Sequence, residues 1–298
     1  VEIVKCDMHV HSYFSGACTT PFVNLFCRES YSDPREVHAL LRHRGMDLFT
    51  LTDHDSIEGS ESLRREPNFF LSEELTCRMP SGTEVHIGVY DFHERQHAQL
   101  LQRRNDLVSL LMYITERRIF FSINHVFSSV TGRRESEDFA WFQEYFPAIE
   151  TRNSHMLEAT NSYAAKLAQR WDKIGIGGSD AHALPSVGTA WTEVPGARDK
   201  HEFFEGLKAG KGRVAGESGC FAKLTRDCFL IGLEMIREKS WTALIAPLAP
   251  LVPLITYMNY REERAFSARW AAEVLHQGRT RKRSRWVALP QRAAEEWV

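Results

Sequence analysis

The sequence contains no pair of cysteines at C-x-x-C spacing. Its six cysteines (Cys6, Cys18, Cys27, Cys77, Cys220 and Cys228) are scattered. That excludes a zinc knuckle, speaks against a disulfide framework and suits a reducing compartment. There is no excess of either charge: 37 Lys and Arg stand against 39 Asp and Glu, a net charge of −2. No global basic field of the kind that attracts nucleic acid is present. The chain has no internal repeat. Glu2 to Met8 reads as a strand, not as a charged-then-apolar leader, so the expectation is a cytoplasmic protein without a signal peptide. What it does have is 298 residues, 43% of them hydrophobic, enough for one large domain or one domain with an appendage.

Apolar runs and helical stretches alternate over roughly the first 220 residues. Glu2–Val10, Asp47–Thr52, Val85–Phe92, Ile119–Asn124, Ala148–Thr151 and Ile174–Gly178 read as strands. Between them lie helices at Pro34–Arg44, Gln99–Arg117, Ser136–Tyr145 and Glu158–Asp172, with a last one at Asp199–Ala209. Ser32 or Asp33 can cap the first helix, Pro34 suits its first turn and Gly45 ends it. Strands alternating with helices predict a parallel sheet. Polar residues placed just after several strands predict that this sheet closes into a barrel with its site at the C-terminal rim.

The character changes near Phe221, which divides the chain into residues 1–221 and a helical extension, 222–298. Ser240–Tyr260 is uncharged and mostly apolar, with Pro247, Pro250 and Pro253 at three-residue spacing. Its length suits a membrane span, but the prolines favour an interfacial or protein-covered segment. Tyr260–His276 reads as helix, and Arg279–Arg285 is a short basic run. A peripheral membrane contact through this extension is a further expectation.

The chemistry lies in scattered clusters of metal-ligand residues. His9 and His11 are two apart in a strand, so they share a face and both can reach one metal. Burying two imidazoles without partners is costly, which favours the ligand reading. His54 ends Thr52-Asp53-His54-Asp55, where Asp53 or Asp55 can orient an imidazole. Of the pair Glu73-Glu74, Glu74 is the choice for a carboxylate bridging two metals. His86 and His125 stand in or at the end of apolar strands and gain weight as ligands from the other clusters. In Gly177-Gly178-Ser179-Asp180-Ala181-His182, the glycines allow close backbone approach, and Asp180 and His182 point to the same side. The remaining histidines read as surface residues, with His155 set apart as an exception.

In this order the motifs resemble those of the polymerase and histidinol phosphatase (PHP) family of metallo-phosphoesterases. The resemblance rests on D-M-H-V-H at Asp7–His11, L-T-D-H-D-S-I-E-G at Leu51–Gly59 and E-E-L-T at Glu73–Thr76. It continues through E-V-H-I-G at Glu84–Gly88, N-H at Asn124–His125 and G-G-S-D-A-H at Gly177–His182, and runs to about Glu217. It implies a distorted (β/α)7 barrel for residues 1–221, with two or three divalent metals (manganese, iron or zinc). It further implies one metal on His9, His11, Glu74 and Asp180. A second would be bridged by Glu74 and completed by His86 and His125, and a third would be served by His54 and His182. One departure stands out. Many members carry an aspartate or histidine a few residues past the first histidine pair as a third-metal ligand. Here that stretch is Ser15-Gly16-Ala17-Cys18; Gly16 has no donor, and Cys18 stands as either a substitute ligand or a structural residue.

The resulting expectation is a hydrolase of phosphoric esters, cleaving a phosphomonoester or short nucleotide with a metal-activated hydroxide. His182 or His54 would protonate the leaving oxygen, and Arg133 and Arg134 would grip a phosphate as a fork. The alternatives are an exonuclease or nucleoside-bisphosphate phosphatase, and a non-catalytic metal-binding module associated with a membrane. The expected partner is a small phosphorylated substrate, not a long nucleic acid.

Overall fold

The computed structural model describes residues 2–18 and 22–276. The chain begins with β1 (Ile3–Cys6), two short 3-10 turns (Tyr13–Ser15 and Val23–Leu25) and α1 (Pro34–His43). Asp33 caps α1 by accepting from Arg35 N at 2.8 Å, and Gly45 leaves the helix at φ +75°, a conformation natural to glycine. Then come α2 (Glu58–Glu61), β2 (Ser72–Arg78), β3 (Glu84–Tyr90), α3 (Glu94–Arg103), α4 (Leu107–Glu116), β4 (Phe120–Ile123) and α5 (Ser136–Tyr145). They are followed by β5 (Ala148–Asn153), α6 (Glu158–Trp171), β6 (Ile174–Gly178), β7 (Ala190–Pro195), α7 (Lys200–Lys208) and β8 (Arg213–Gly216). α8 (Phe221–Glu238), a run of 3-10 turns (Ser240–Leu251) and α9 (Val252–His276) complete the described chain.

The fold is mixed α/β, and its strands differ from the all-parallel expectation. One sheet has the order β2-β3-β4-β5-β6, the other β1-β7-β8. Only β4, β5 and β6 run parallel to one another. β2 and β3 are antiparallel because only five residues, 79–83, join them, too few for a parallel crossover. Neither sheet closes on itself among the described residues.

Two further expectations change for local reasons. The helix expected over Gln99–Arg117 is two helices, because Asp106 caps a new start by accepting from Ser109 N at 3.1 Å. The strand expected at Asp47–Thr52 makes single bridges, Cys6 to Leu48 and Phe49 to Phe69, instead of a ladder. Its N–H groups are divided between neighbours: Asp47 and Leu48 donate to Lys5 O, Phe49 to Asn68 O and Thr52 to Val10 O. Similar single bridges join Val10 to Ala181 and His54 to Glu74.

The main core lies between the five-stranded sheet and its helices. Ile87, Ile123 and Ile149 from the strands meet Leu110, Ile114, Phe142 and Leu167 from the helices. α9 joins this core through Trp270, which is 4% exposed and lies 5.5 Å, ring to ring, from Phe139. The uncharged segment before it is not covered by protein: Trp241, Leu244, Leu248, Leu254 and Met258 are all exposed, Leu244 by 84%. Ser240–Leu275 is long and apolar enough to cross a membrane by length and composition. The basic run Arg279–Arg285 lies outside the described residues.

The seating of Trp270 predicts that the extension and the sheet unfold together. Trp270→Ala should cost about 3–5 kcal/mol, the usual range for a buried large aromatic side chain. Urea denaturation followed by circular dichroism checks this; an unchanged midpoint would mean that α9 contributes nothing to the core.

Candidate metal centre

Strand alternation separates the two neighbouring glutamates of β2. Glu73 pairs with His97 Nδ1 at 2.8 Å on one side of the sheet, while Glu74 turns to the other. There its two oxygens are divided among five imidazoles. Oε2 lies 3.1 Å from His9 Nε2 and 3.4 Å from both His11 Nε2 and His54 Nε2. Oε1 lies 3.2 Å from His125 Nε2 and 3.6 Å from His86 Nδ1. Asp180 Oδ1 closes the group, 3.4 Å from His9 Nε2, 3.2 Å from His11 Nε2 and 3.7 Å from His182 Nδ1. The structure thus brings His9, His11, His54, Glu74, His86, His125, Asp180 and His182 into one cluster.

These residues fit divalent cations. Donors about 2.1 Å from an ion stand roughly 3.0–3.5 Å from one another in octahedral or tetrahedral coordination. The separations among His9, His11, Glu74 and Asp180 run from 3.0 to 3.4 Å. His182 Nε2, which faces Glu29, is a buried ring nitrogen with no hydrogen-bond partner, whereas the unpartnered Nδ1 atoms of His54 and His125 lie on the ring edges away from Glu74. Imidazole with carboxylate suits zinc, manganese and iron.

The electrostatics agree. Burial would push the Glu74 and Asp180 carboxyls up, but His9 and its neighbouring imidazoles hold both well below the usual carboxylate range. Burial, with His182 beside it, drives the His11 imidazole down to about 3. The cluster therefore presents ionised carboxylates beside His11 and His86 held neutral, whereas at His9, His125 and His182 the neighbouring carboxylates outweigh burial and hold the rings above the usual imidazole range, so a cation would enter by displacing protons from them.

Buried groups behind the donors aim them. Glu150 Oε1 takes His9 Nδ1 at 2.8 Å, so the ring carries its proton there and turns the Nε2 lone pair to the centre. Glu150 Oε2 accepts from His125 N and Asn153 Nδ2, and the same amide donates to Asp180 Oδ2 at 3.0 Å. Ser15 Oγ donates to Asp53 at 2.8 Å and lies 2.9 Å from His11 Nδ1, fixing that ring in the same way. Asp55 instead accepts from Thr76 N and pairs with Arg104. Asn124 Nδ2 donates to Glu74 Oε1 at 2.8 Å.

The backbone is also constrained here. Asp7 accepts from His9 N, Ser179 N and Gly188 N, tying the first motif to the last. A Cβ on Gly178 would stand 2.3 Å from His9 N, so the close approach requires glycine. His125 and Asp180 hold positive φ, +28° and +52°, a strained conformation for such residues.

Other site expectations are placed differently. Arg134 is buried and donates to Glu84 O and Thr131 Oγ1, while Arg133 is 85% exposed and pairs with Glu135. Among the described contacts neither touches the cluster. The loop after His125 turns one arginine inward to tie down its own backbone and the other to solvent. His54 and His182 both turn Nε2 toward Glu29, at 3.3 and 3.5 Å, a residue that the sequence reading does not single out. His155 lies between Asp227 Oδ2, 3.0 Å from Nε2, and Ser179 O, with its ring 5.7 Å from that of His182. Glu150 had a readable signal, a carboxylate inside an apolar strand; Glu29 had none.

A family model described as PHP-associated matches residues 158–211. An uncharacterized protein of Methanocaldococcus jannaschii is 26% identical over 82 residues, 28% of this chain and 44% of that protein's length. Two solved structures share the fold at 17% identity. A two-domain protein from Bacteroides vulgatus, described as containing a predicted PHP-like metal-dependent phosphoesterase, superposes with a TM-score of 0.57 over 77% of this chain and 70% of that one. PsfC from Pseudomonas syringae superposes with a TM-score of 0.53 over 79% and 98%. The ordered motifs gather into one donor cluster, a PHP-associated family model matches one segment and the fold is shared with a PHP-like structure, so the chain is similar to the PHP family in its motifs, in that segment and in its fold.

Proposed function

We propose that this protein is a metal-dependent phosphoesterase that hydrolyses a phosphomonoester or a short nucleotide. The observation that carries this reading is Glu74, whose two oxygens are shared among five imidazoles at 3.1–3.6 Å. A buried carboxylate divided in this way suits a bridge between two cations. Divalent ions in such a site supply Lewis-acid stabilisation of phosphoryl oxygens and a nucleophile from water near neutral pH. The chain's own residues do the positioning: Glu150 and Ser15 keep Nε2 of His9 and His11 directed inward, and Asn124 and Asn153 hold the two carboxylates. The single bridges at Val10–Ala181, Cys6–Leu48 and His54–Glu74 support a distorted seven-membered barrel, with the 48–54 segment as its irregular member.

The extension supports a small substrate. Asp227, on α8, pairs with His155 beside His182, and Glu238, at the other end of α8, pairs with Arg28 and Tyr13 beside Glu29. α8 therefore spans one side of the donor cluster as a wall, which suits a compact phosphoester better than a long polymer. The exposed apolar face of residues 241–258, followed in sequence by the basic run Arg279–Arg285, supports a peripheral contact with an anionic bilayer.

Three outcomes are expected. Protein purified without chelator should contain divalent metal and hydrolyse p-nitrophenyl phosphate or a mononucleotide. EDTA should abolish the activity and Mn²⁺ restore it, and Glu74→Ala should lower kcat by about 10²–10³-fold, the usual cost of removing positioned charge stabilisation. Undiminished turnover by the variant with unchanged metal content would remove the bridge. Glu150→Gln should weaken metal affinity by about 10–100-fold, read by competition with a fluorescent chelator; unaltered affinity would deny Glu150 its orienting role. The protein should float with vesicles containing phosphatidylserine, less so with neutral vesicles, and full-length protein carrying Leu244→Glu and Leu248→Glu on the exposed apolar face should stay in solution.

A further inference from the structure

The position where the PHP pattern has a third carboxylate or histidine is occupied here by Gly16, yet a carboxylate lies close by in space. Glu29 Oε2 is 3.3 Å from His54 Nε2, and Oε1 is 3.5 Å from His182 Nε2. Both rings flank His11, with centroids 4.8 and 4.4 Å away, and the donor atoms of His11, His54 and His182 form one close group. The Glu29 side chain is only 14% exposed.

The loop geometry explains how the carboxylate arrives. Residues 16–18 and 27–29 run side by side as an antiparallel pair: Ala17 bridges Arg28, Cys18 N donates to Cys27 O, and Glu29 N donates to Gly16 O at 3.0 Å. The return arm thus sets Glu29 beside the residue that lacks a donor. Gly16 holds φ +83°, where a side chain is strained, so a ligand there would cost backbone energy. Arg28 anchors the arm by lying 3.8 Å over the Tyr13 ring and pairing with Glu238 at 2.9 Å.

An ordinary ion pair is a poorer account of these contacts. Charge-assisted N–H···O bonds close to about 2.7–2.9 Å. The Glu29 contacts are longer, and they match the roughly 3.4 Å edge of a tetrahedron of donors around an ion. His182 Nε2 is buried with no hydrogen-bond partner and faces this carboxylate. Resting on the metal-cluster reading above, we propose that Glu29 completes a third cation site with His54 and His182. The ligand comes from the return arm of the 16–29 loop instead of from the position after the histidine pair. A site of two imidazoles and one carboxylate suits zinc, manganese or iron and keeps room for a substrate oxygen.

The test is metal stoichiometry, independent of activity. Full-length protein is equilibrated with Mn²⁺ or Zn²⁺, desalted and measured by elemental analysis and calorimetric titration. Wild type should bind three ions per chain. Glu29→Gln should lose one ion, or bind it more than tenfold more weakly, while its melting temperature in EDTA stays at the wild-type value. His54→Ala should lose one ion, and the double variant no more than one. Wild-type stoichiometry and affinity in Glu29→Gln would overturn the proposal, as would loss of a further ion in the double variant. Saturation of wild type at two ions would overturn it whether or not the variants fold. Binding of no ion at all would overturn the phosphoesterase reading along with it.

Discussion

The centre of this structure depends on one carboxylate. Glu74 is buried among five imidazoles that come from distant parts of the chain. An isolated ionised carboxylate at such a depth would be very costly. Its charge is tolerated because each neighbouring ring offers it a partner, and the rings tolerate their own burial for the same reason. The cluster is therefore mutually stabilised, and removing any one member leaves uncompensated polar atoms in the interior.

That arrangement makes demands on the surrounding fold. Asp7 ties the backbone of His9 to Ser179 and Gly188, so the first and last motifs are held in register by one side chain. The absence of a Cβ at Gly178 lets the two strand ends approach. Positive φ at His125 and Asp180 marks where the chain leaves its strand to aim a donor. Glu150 links His9, His125 and, through Asn153, Asp180. Regular hydrogen-bonded ladders give way to single bridges around the centre, because backbone regularity there yields to donor placement.

The extension beyond Phe221 is more than an appendage to this centre. α9 enters the main core through Trp270, and α8 reaches His155 at one end and Arg28 at the other. The PHP-associated match, 158–211, ends before either helix. α8, whose Asp227 pairs with His155 and whose Glu238 pairs with Arg28, is thus a feature of this chain's own tail, and rim elements of this kind carry functional variation more than a scaffold does.

The residues that meet in the donor cluster were legible in the sequence because imidazole and carboxylate donors are few residue types, and strand ends place them at recognisable spacings. His9 with His11, and Asp180 with His182, are local patterns that survive without knowledge of the fold. Five of the eight described strands were legible from apolar runs; β2, β7 and β8 were not, and the 47–52 run makes only single bridges. Strand direction was not legible, since it depends on loop length and on pairing between distant segments; β2 and β3 turned out antiparallel for that reason. The fate of Arg133 and Arg134 was equally hidden, because two neighbours in a loop can face opposite ways. Glu29 was the most hidden of all. It is a lone glutamate in a loop, and only the antiparallel return of residues 27–29 beside 16–18 sets it between His54 and His182. The sequence by itself determined which donors exist, because chemistry restricts their identity. The tertiary structure alone decided which of them meet, because proximity between distant residues is a property of the packed chain and not of its order.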